Sequence, residues 1–425
     1  MADGDRGIAR DAMTYTALER HGRRARARID RRWGALALAI LVSAGVIKPS
    51  PAMGWLPIDL TFLAAAAVTL ALLDAAAGAL HSHDRPPVEW IIGSALFASL
   101  GLLQAADGGY VHDKVPGFLV LTLMLSFVAS LFLVRTARQR DALSFGFVGV
   151  GVLVAFLAVV APATSAGLEG RVALFEDATI APARALGAAI VVILVSAFIR
   201  RLPVRYALPV AAALLFVMIR TGARGPAFAV AVALLVVVIV LRGTHRNRAV
   251  LLLVGALVVG QRIFSGTVAS AQDRFMLLLS DDQGASVSVR EMLWRRSWHV
   301  IQMTPFGEGW GGMSRALRPI ADYPHNVVLE VAGEGGLLAL GLLLVAVWVG
   351  VRRTTRASRT GDSSATTLLA LLVYWLANAL VSGDLNDNRG LFLCLAAALM
   401  VGSVGPSAAM PQQLGPRDVT AERES

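Results

Sequence analysis

Residues 220–248 read RTGARGPAFAVAVALLVVVIVLRGTHRNR. After Pro226 the run to Leu241 holds no charge and no helix breaker, and arginines stand at both ends. A stretch of this kind is a helix that crosses a membrane, with its charged ends held at the two water boundaries. Similar runs recur from Trp33 to about residue 404. The chain is 56% hydrophobic, with a mean hydropathy of +0.65. A soluble domain could not hide that much apolar surface, so the sequence reads as an all-α, polytopic bundle.

Twelve spans are expected: 33–47, 56–80, 88–105, 116–134, 142–162, 181–199, 206–219, 226–241, 249–260, 327–350, 365–382 and 389–404. Residues 1–32 form a basic tail and residues 405–425 a second tail, with one transmembrane domain, 33–404, between them. The run behind the first tail is followed by many more spans and shows no clear cleavage site, so it reads as an uncleaved first helix. The lone cysteine, Cys394, excludes an internal disulfide and a cysteine metal cluster. The net charge of +10 is spread through the loops and does not point to nucleic acid.

Loop charges orient the chain. With the N-terminus inside, 25 of the 39 Lys and Arg residues fall in the tails and the inward loops, as the positive-inside rule requires. An even number of spans returns the C-terminus to the same side. The basic residues left outside gather around Arg171, at Arg220 and Arg224, and as seven arginines between 262 and 318. That last group lies in the longest loop, 261–326, and loops of such length are usually functional. Within it, SVREMLWRRSWHVIQM reads as a helix carrying Arg290, Trp294 and Trp298 on one side.

Four stretches could carry chemistry. Arg220 reads first as an anchor that snorkels to the interface. Arg224 begins a helix, where the backbone dipole is already positive, so it is either an anchor or part of an anion site. Arg171 is a loop arginine that could pair with Glu176 or Asp177. The glycines of FGEGWGG, 306–312, could let backbone approach a ligand. In YPHNVVLEVAGEGG, 323–336, Pro324 suits a first helical turn and places His325 there, where the dipole favours the neutral imidazole of a general base. The plainer reading makes His325 a boundary histidine. Asn326 could orient it or contact sugar hydroxyls. Glu330 and Glu334 are ionisable groups within a span, which are functional candidates by default. No acidic pair suited to a divalent metal stands out in the outward loops.

The order GRVALFEDATIAPARALG, TGARGPAFAVAVALLVV, SVREMLWRRSWHVIQMTPFGEGWGGM, HNVVLEVAGEGGLLALGLLL, across about 165–350, resembles the O-antigen ligase and polymerase superfamily. One departure is Ala223, where the family usually has serine. The resemblance implies a GT-C-like glycosyltransferase, free of metal and cofactor. It would move a glycan from undecaprenyl diphosphate to a hydroxyl of lipid A-core or of a growing polysaccharide, at the outer face of the bacterial cytoplasmic membrane. It also implies that His325 is the base and that Arg224 and Arg290 bind the diphosphate, with Arg171 a further match of that kind. Arg220, Asn326 and Glu330 stand beside them as candidate substrate contacts. A competing reading is a polysaccharide or lipid transporter, or a flippase, which predicts inverted repeats and polar groups at the midplane. No repeat is visible.

Overall fold

The computed structural model describes residues 32–47, 59–81, 87–104, 109–160, 180–264 and 285–403. The described residues are helical and contain no strand. The first helices are α1 (Arg32–Ile47), α2 (Leu60–His81), α3 (Val88–Leu102), α4 (Gly109–Leu133) and α5 (Ala137–Val160). Next come α6 (Ile180–Phe198), α7 (Val204–Arg220), α8 (Arg224–Val240) and α9 (Gly243–Phe264). The long loop contributes α10 (Ala285–Met303) and α11 (Ser314–Leu317). The chain ends with α12 (Val327–Glu334), α13 (Gly336–Arg359), α14 (Ser363–Val381) and α15 (Arg389–Leu399). Helices satisfy their own backbone groups, which hydrocarbon cannot do for them.

Where its residues are described, each of the twelve expected spans falls mainly on helix. Among the described residues six helices are long and apolar enough to cross a membrane: α2, α4, α5, α6, α13 and α14. Shorter apolar helices account for the spans at α1, α3, α8 and α15. The expected seventh and ninth spans are α7 and α9, which carry Arg205 and Arg220, and Arg246, Arg248 and Arg262.

Burial separates centre from rim. α6 and α14 are 78% buried over their apolar windows, whereas α2 and α13 are 22% buried. The central helices approach closely because small residues face one another. A Cβ on Gly151 of α5 would lie 2.4 Å from that of Ala189 on α6, and one on Gly187 of α6 would lie 2.3 Å from Tyr374 Oη on α14. Close backbone approach of this kind supplies the dispersion contacts that hold helices together in lipid.

Two expectations are corrected. The expected span 116–134 begins earlier, at Gly109, and residues Phe118–Val128 are wound with i→i+5 bonds. Pro116, inside this helix, has no N–H to donate, and the wider winding follows directly after it. The expected span 327–350 is two helices. Gly336, with φ +79°, ends α12 and starts α13. The loop from Pro305 closes over that break: Glu308 N–H donates to Gly333 O, Gly309 N–H to Glu334 O, and Leu337 N–H to Pro305 O. The first two bonds satisfy carbonyls that the end of α12 leaves open, and the third satisfies an N–H at the start of α13.

Candidate active site

His325 does not sit in the first turn of a helix, contrary to expectation. The helix begins two residues later, at Val327, and Asn326 is its N-cap. Asn326 Oδ1 accepts from Val328 N–H at 3.0 Å and Leu329 N–H at 3.2 Å. An asparagine in that place satisfies free donors of the first turn, so the helix starts there rather than at Pro324. Asn326 therefore caps α12 with its side-chain oxygen. His325 holds φ +56°, a left-handed conformation that non-glycine residues seldom adopt and that recurs at functional sites.

The turn is held from outside. Trp294 of α10 donates its indole N–H to Pro324 O at 3.1 Å. The Tyr323 ring meets the His325 ring edge-on, with centroids 4.4 Å apart. His325 Nδ1 is buried with no hydrogen-bond partner. Burial, and then the positive charges of Arg290 and Arg184, push the imidazole below its ordinary value, and Asp384 opposes them. The neutral ring is thus favoured by desolvation and by arginines.

His325 opens on a cavity of about 380 Å³. One wall is the end of α1 with Ser43 and Val46, and another is the start of α6 with Ala181 and Arg184. Trp375 of α14 and the segment Ser382–Arg389 close the far side, with Asn386, Asp387 and Arg389 in the lining. Arg184 is buried and clamped by carbonyls, donating Nη2 to Ser382 O at 2.7 Å and Nη1 to Asp387 O at 3.2 Å. Gly383, with φ +78°, makes room for it: a Cβ there would lie 2.7 Å from Arg184 Nη2. Asp387 is accessible but ringed by protein, and partial desolvation together with Asp384 raises its carboxyl above the ordinary range. A separate recess of about 200 Å³ lies between α3, α4, α13 and α15, lined by Trp90, Phe97 and Phe392, and shares no residue with the cavity.

The candidates read from sequence are only partly brought together. Arg290 is half-buried on α10, and its charge is among the causes that lower the His325 imidazole. Arg224 is exposed at the start of α8. Its neighbour Gly225 sits against Val381, next to cavity-lining Ser382. Arg220 is exposed and lies over the Phe216 ring of its own helix, 5.9 Å from the centroid, away from the cavity lining. Glu330 is fully buried and bound to Lys114, so it offers no surface to a substrate. Arg171 lies outside the described residues. The glycines at 306–312 meet protein rather than an open site: a Cβ on Gly307 would lie 2.4 Å from Glu334 O. Beside them Trp310 fills a slot between Phe97 and Phe118 and donates to Ala98 O at 2.8 Å.

Arg184, Arg389, Asp384 and Asp387 were missed by the sequence reading. Arg184 had a signal, as a charge inside the expected sixth span. Asp384 and Asp387 are an acidic pair in the connection between α14 and α15. Asp387 N–H donates to Asp384 Oδ1 at 2.8 Å, which draws the two together.

Residues 209–344 match the family model described as O-antigen ligase. The matched segment runs from α7 into α13 and holds Arg220, Arg224, Arg290 and His325, while Arg184 and Asp387 lie outside it. No curated protein matches the chain.

Proposed function

We propose that this integral membrane protein, which carries an O-antigen ligase domain over residues 209–344 and is thereby a glycosyltransferase-type enzyme, transfers a glycan from an undecaprenyl-diphosphate carrier to an acceptor hydroxyl. The observation that carries the reading is His325. It is held neutral, in a strained turn, at the mouth of a cavity whose other walls bring arginines.

In this reading His325 takes the proton of the acceptor hydroxyl as its oxygen bonds to the anomeric carbon of the donor sugar. The bond from that carbon to the diphosphate breaks, and undecaprenyl diphosphate leaves with the electron pair. Arg290 and Arg224 bind the diphosphate and stabilise the charge it gains, with Arg184 and Arg389 lining the cavity. The helix ends around the cavity, from α1, α6, α14 and α15, all lie on the side that loop charge places outside. That supports a site facing away from the cytoplasm, in a GT-C-like arrangement.

The test uses the purified full-length protein with an undecaprenyl-diphosphate-linked glycan. Lipid A-core is the acceptor in one arm, and a second lipid-linked glycan is the acceptor in the other. Transfer with EDTA present is expected, and loss of turnover on chelation would reject the metal-free step. A product on lipid A-core identifies the ligase that the family description favours, and a lengthened lipid-linked chain identifies the polymerase. Arg290→Ala and Arg224→Ala should each weaken binding of undecaprenyl diphosphate by about 10- to 100-fold, the worth of a hydrogen bond to a charged group. Unchanged affinity in both would reject the diphosphate role.

A further inference from the structure

Lys114 is one of two lysines in a chain whose other basic residues are arginines. It sits on α4, outside the segment matched to the family, and is 2% exposed. Its ammonium donates to Glu330 Oε1 at 2.5 Å, Glu334 Oε1 at 2.8 Å and Glu334 Oε2 at 2.9 Å. These contacts account for the three N–H donors of a lysine, and both glutamates are fully buried. Three buried ionisable groups at a helix end are an expensive way to join helices, because apolar side chains would join them at least as firmly. The arrangement calls for a role that apolar packing could not fill.

The connections show what that role is. Glu330 and Glu334 lie one turn apart on α12, directly behind the cap that follows His325. Glu330 N–H donates to Asn326 O at 2.9 Å, which ties Glu330 to the residue directly after the histidine. Glu330 Oε1 also accepts from Leu385 N–H at 3.2 Å, and Asn386 Nδ2 donates to the Lys114 carbonyl at 3.1 Å. Tyr110, one turn before Lys114, reaches Asp384 Oδ2 at 3.3 Å. One short stretch of α4 thus holds two walls of the cavity: the histidine turn, and the segment carrying Asn386 and Asp387.

We propose that Lys114 is a positioning residue for the transfer reaction, fixing the His325 turn through Glu330 and Glu334 at a set distance from the Asn386–Asp387 wall. The inference rests on the reading of His325 as the base. Lys114 touches no reactant. It acts by holding the proton acceptor and the facing wall in register, and a misplacement of about 1 Å can cost roughly 100-fold in rate.

The test separates positioning from stability. The single change Lys114→Met leaves two buried carboxylates without a cation and is expected to misfold. The neutral triple change Lys114→Met, Glu330→Gln, Glu334→Gln removes the charges together and keeps acceptors for Leu385 N–H and Gly311 N–H. Glu330 Oε2 already lacks a partner, so the glutamine places its amide nitrogen at a position that is already unpaired in the wild type. The triple variant is expected to melt close to wild type. Its release of undecaprenyl diphosphate should run about 100-fold slower at saturation, with the donor KM unchanged. A folded triple variant with wild-type kcat overturns the proposal, since a merely stabilising network would recover activity along with stability. If the triple variant does not fold, Lys114→Arg decides. It keeps a cation but replaces a compact ammonium by a planar fork. A lowered kcat at constant KM is expected, and wild-type kcat overturns the proposal. Full turnover in His325→Ala, with loss in the triple variant, would remove the base and leave the network. The opposite pattern would remove the network and leave the base.

Discussion

Replacing His325 with alanine is expected to lower kcat by about 10²- to 10⁴-fold, the usual contribution of a positioned general base. The protein should remain folded, because His325 supplies no hydrogen bond to α12, which Asn326 caps. The pH profile carries the finer test. Burial and the charges of Arg290 and Arg184 hold the imidazole below its ordinary value of 6.5. The competent form is the neutral ring. The rate should therefore climb as pH rises through that lowered value and level off before neutrality. Arg290→Ala removes one of the charges that lower it, so the acidic limb of kcat/KM should move to higher pH. Release of undecaprenyl diphosphate measured across pH checks both. Wild-type turnover in His325→Ala ends the base assignment, and an unmoved limb in Arg290→Ala ends its electrostatic link to the histidine.

The second large effect is on folding. Gly336→Ala is expected to cost more than about 4 kcal/mol, in the range reserved for backbone conflict at special φ/ψ. Gly336 has φ +79°, and an added Cβ would lie 2.5 Å from both the carbonyl carbon and the oxygen of Phe306. Those are backbone atoms and cannot swing aside as a side chain end would. The loop they belong to also closes the end of α12, so its displacement would expose Gly333 O and Glu334 O in a dry interior. The expected outcome is a sharp drop in monodisperse protein after extraction and a lowered Tm. By contrast, Gly341→Ala in α13, where an added Cβ meets nothing within 4 Å, should behave as wild type. Equal yields for the two variants would show that the break tolerates a side chain.

The architecture was largely legible because membrane spans announce themselves in a single sequence. Long apolar runs between arginine-bearing loops need no partner to be recognised, and among the described residues each expected span fell mainly on helix. The irregular places were less legible. Gly335 and Gly336 read as part of one span, and only the loop from Pro305, docking on them, makes a break there stable. The glycines at 306–312 read as an approach to a ligand because glycine reports close contact without naming what comes close. What comes close is the chain itself, at Glu334 O and Gly336 N.

The site divides in the same way. His325, Arg224 and Arg290 were named as candidates through the family resemblance, and helix position alone left His325 and Arg224 undecided. By itself the sequence determined the membrane class, the helical spans and a histidine at a span boundary, since these follow from hydrophobicity and from charge near helix ends. Only the tertiary structure decided that Asn326 and not Pro324 begins α12, that Arg184 and Asp387 share the cavity with His325, and that Glu330 turns inward to Lys114. The cap is local, but the other two outcomes depend on distant residues meeting across the bundle, Lys114 with Glu330 216 positions apart and Arg184 with Asp387 203 apart. Such meetings are set by how helices dock, and a linear reading of hydrophobicity and charge does not contain them.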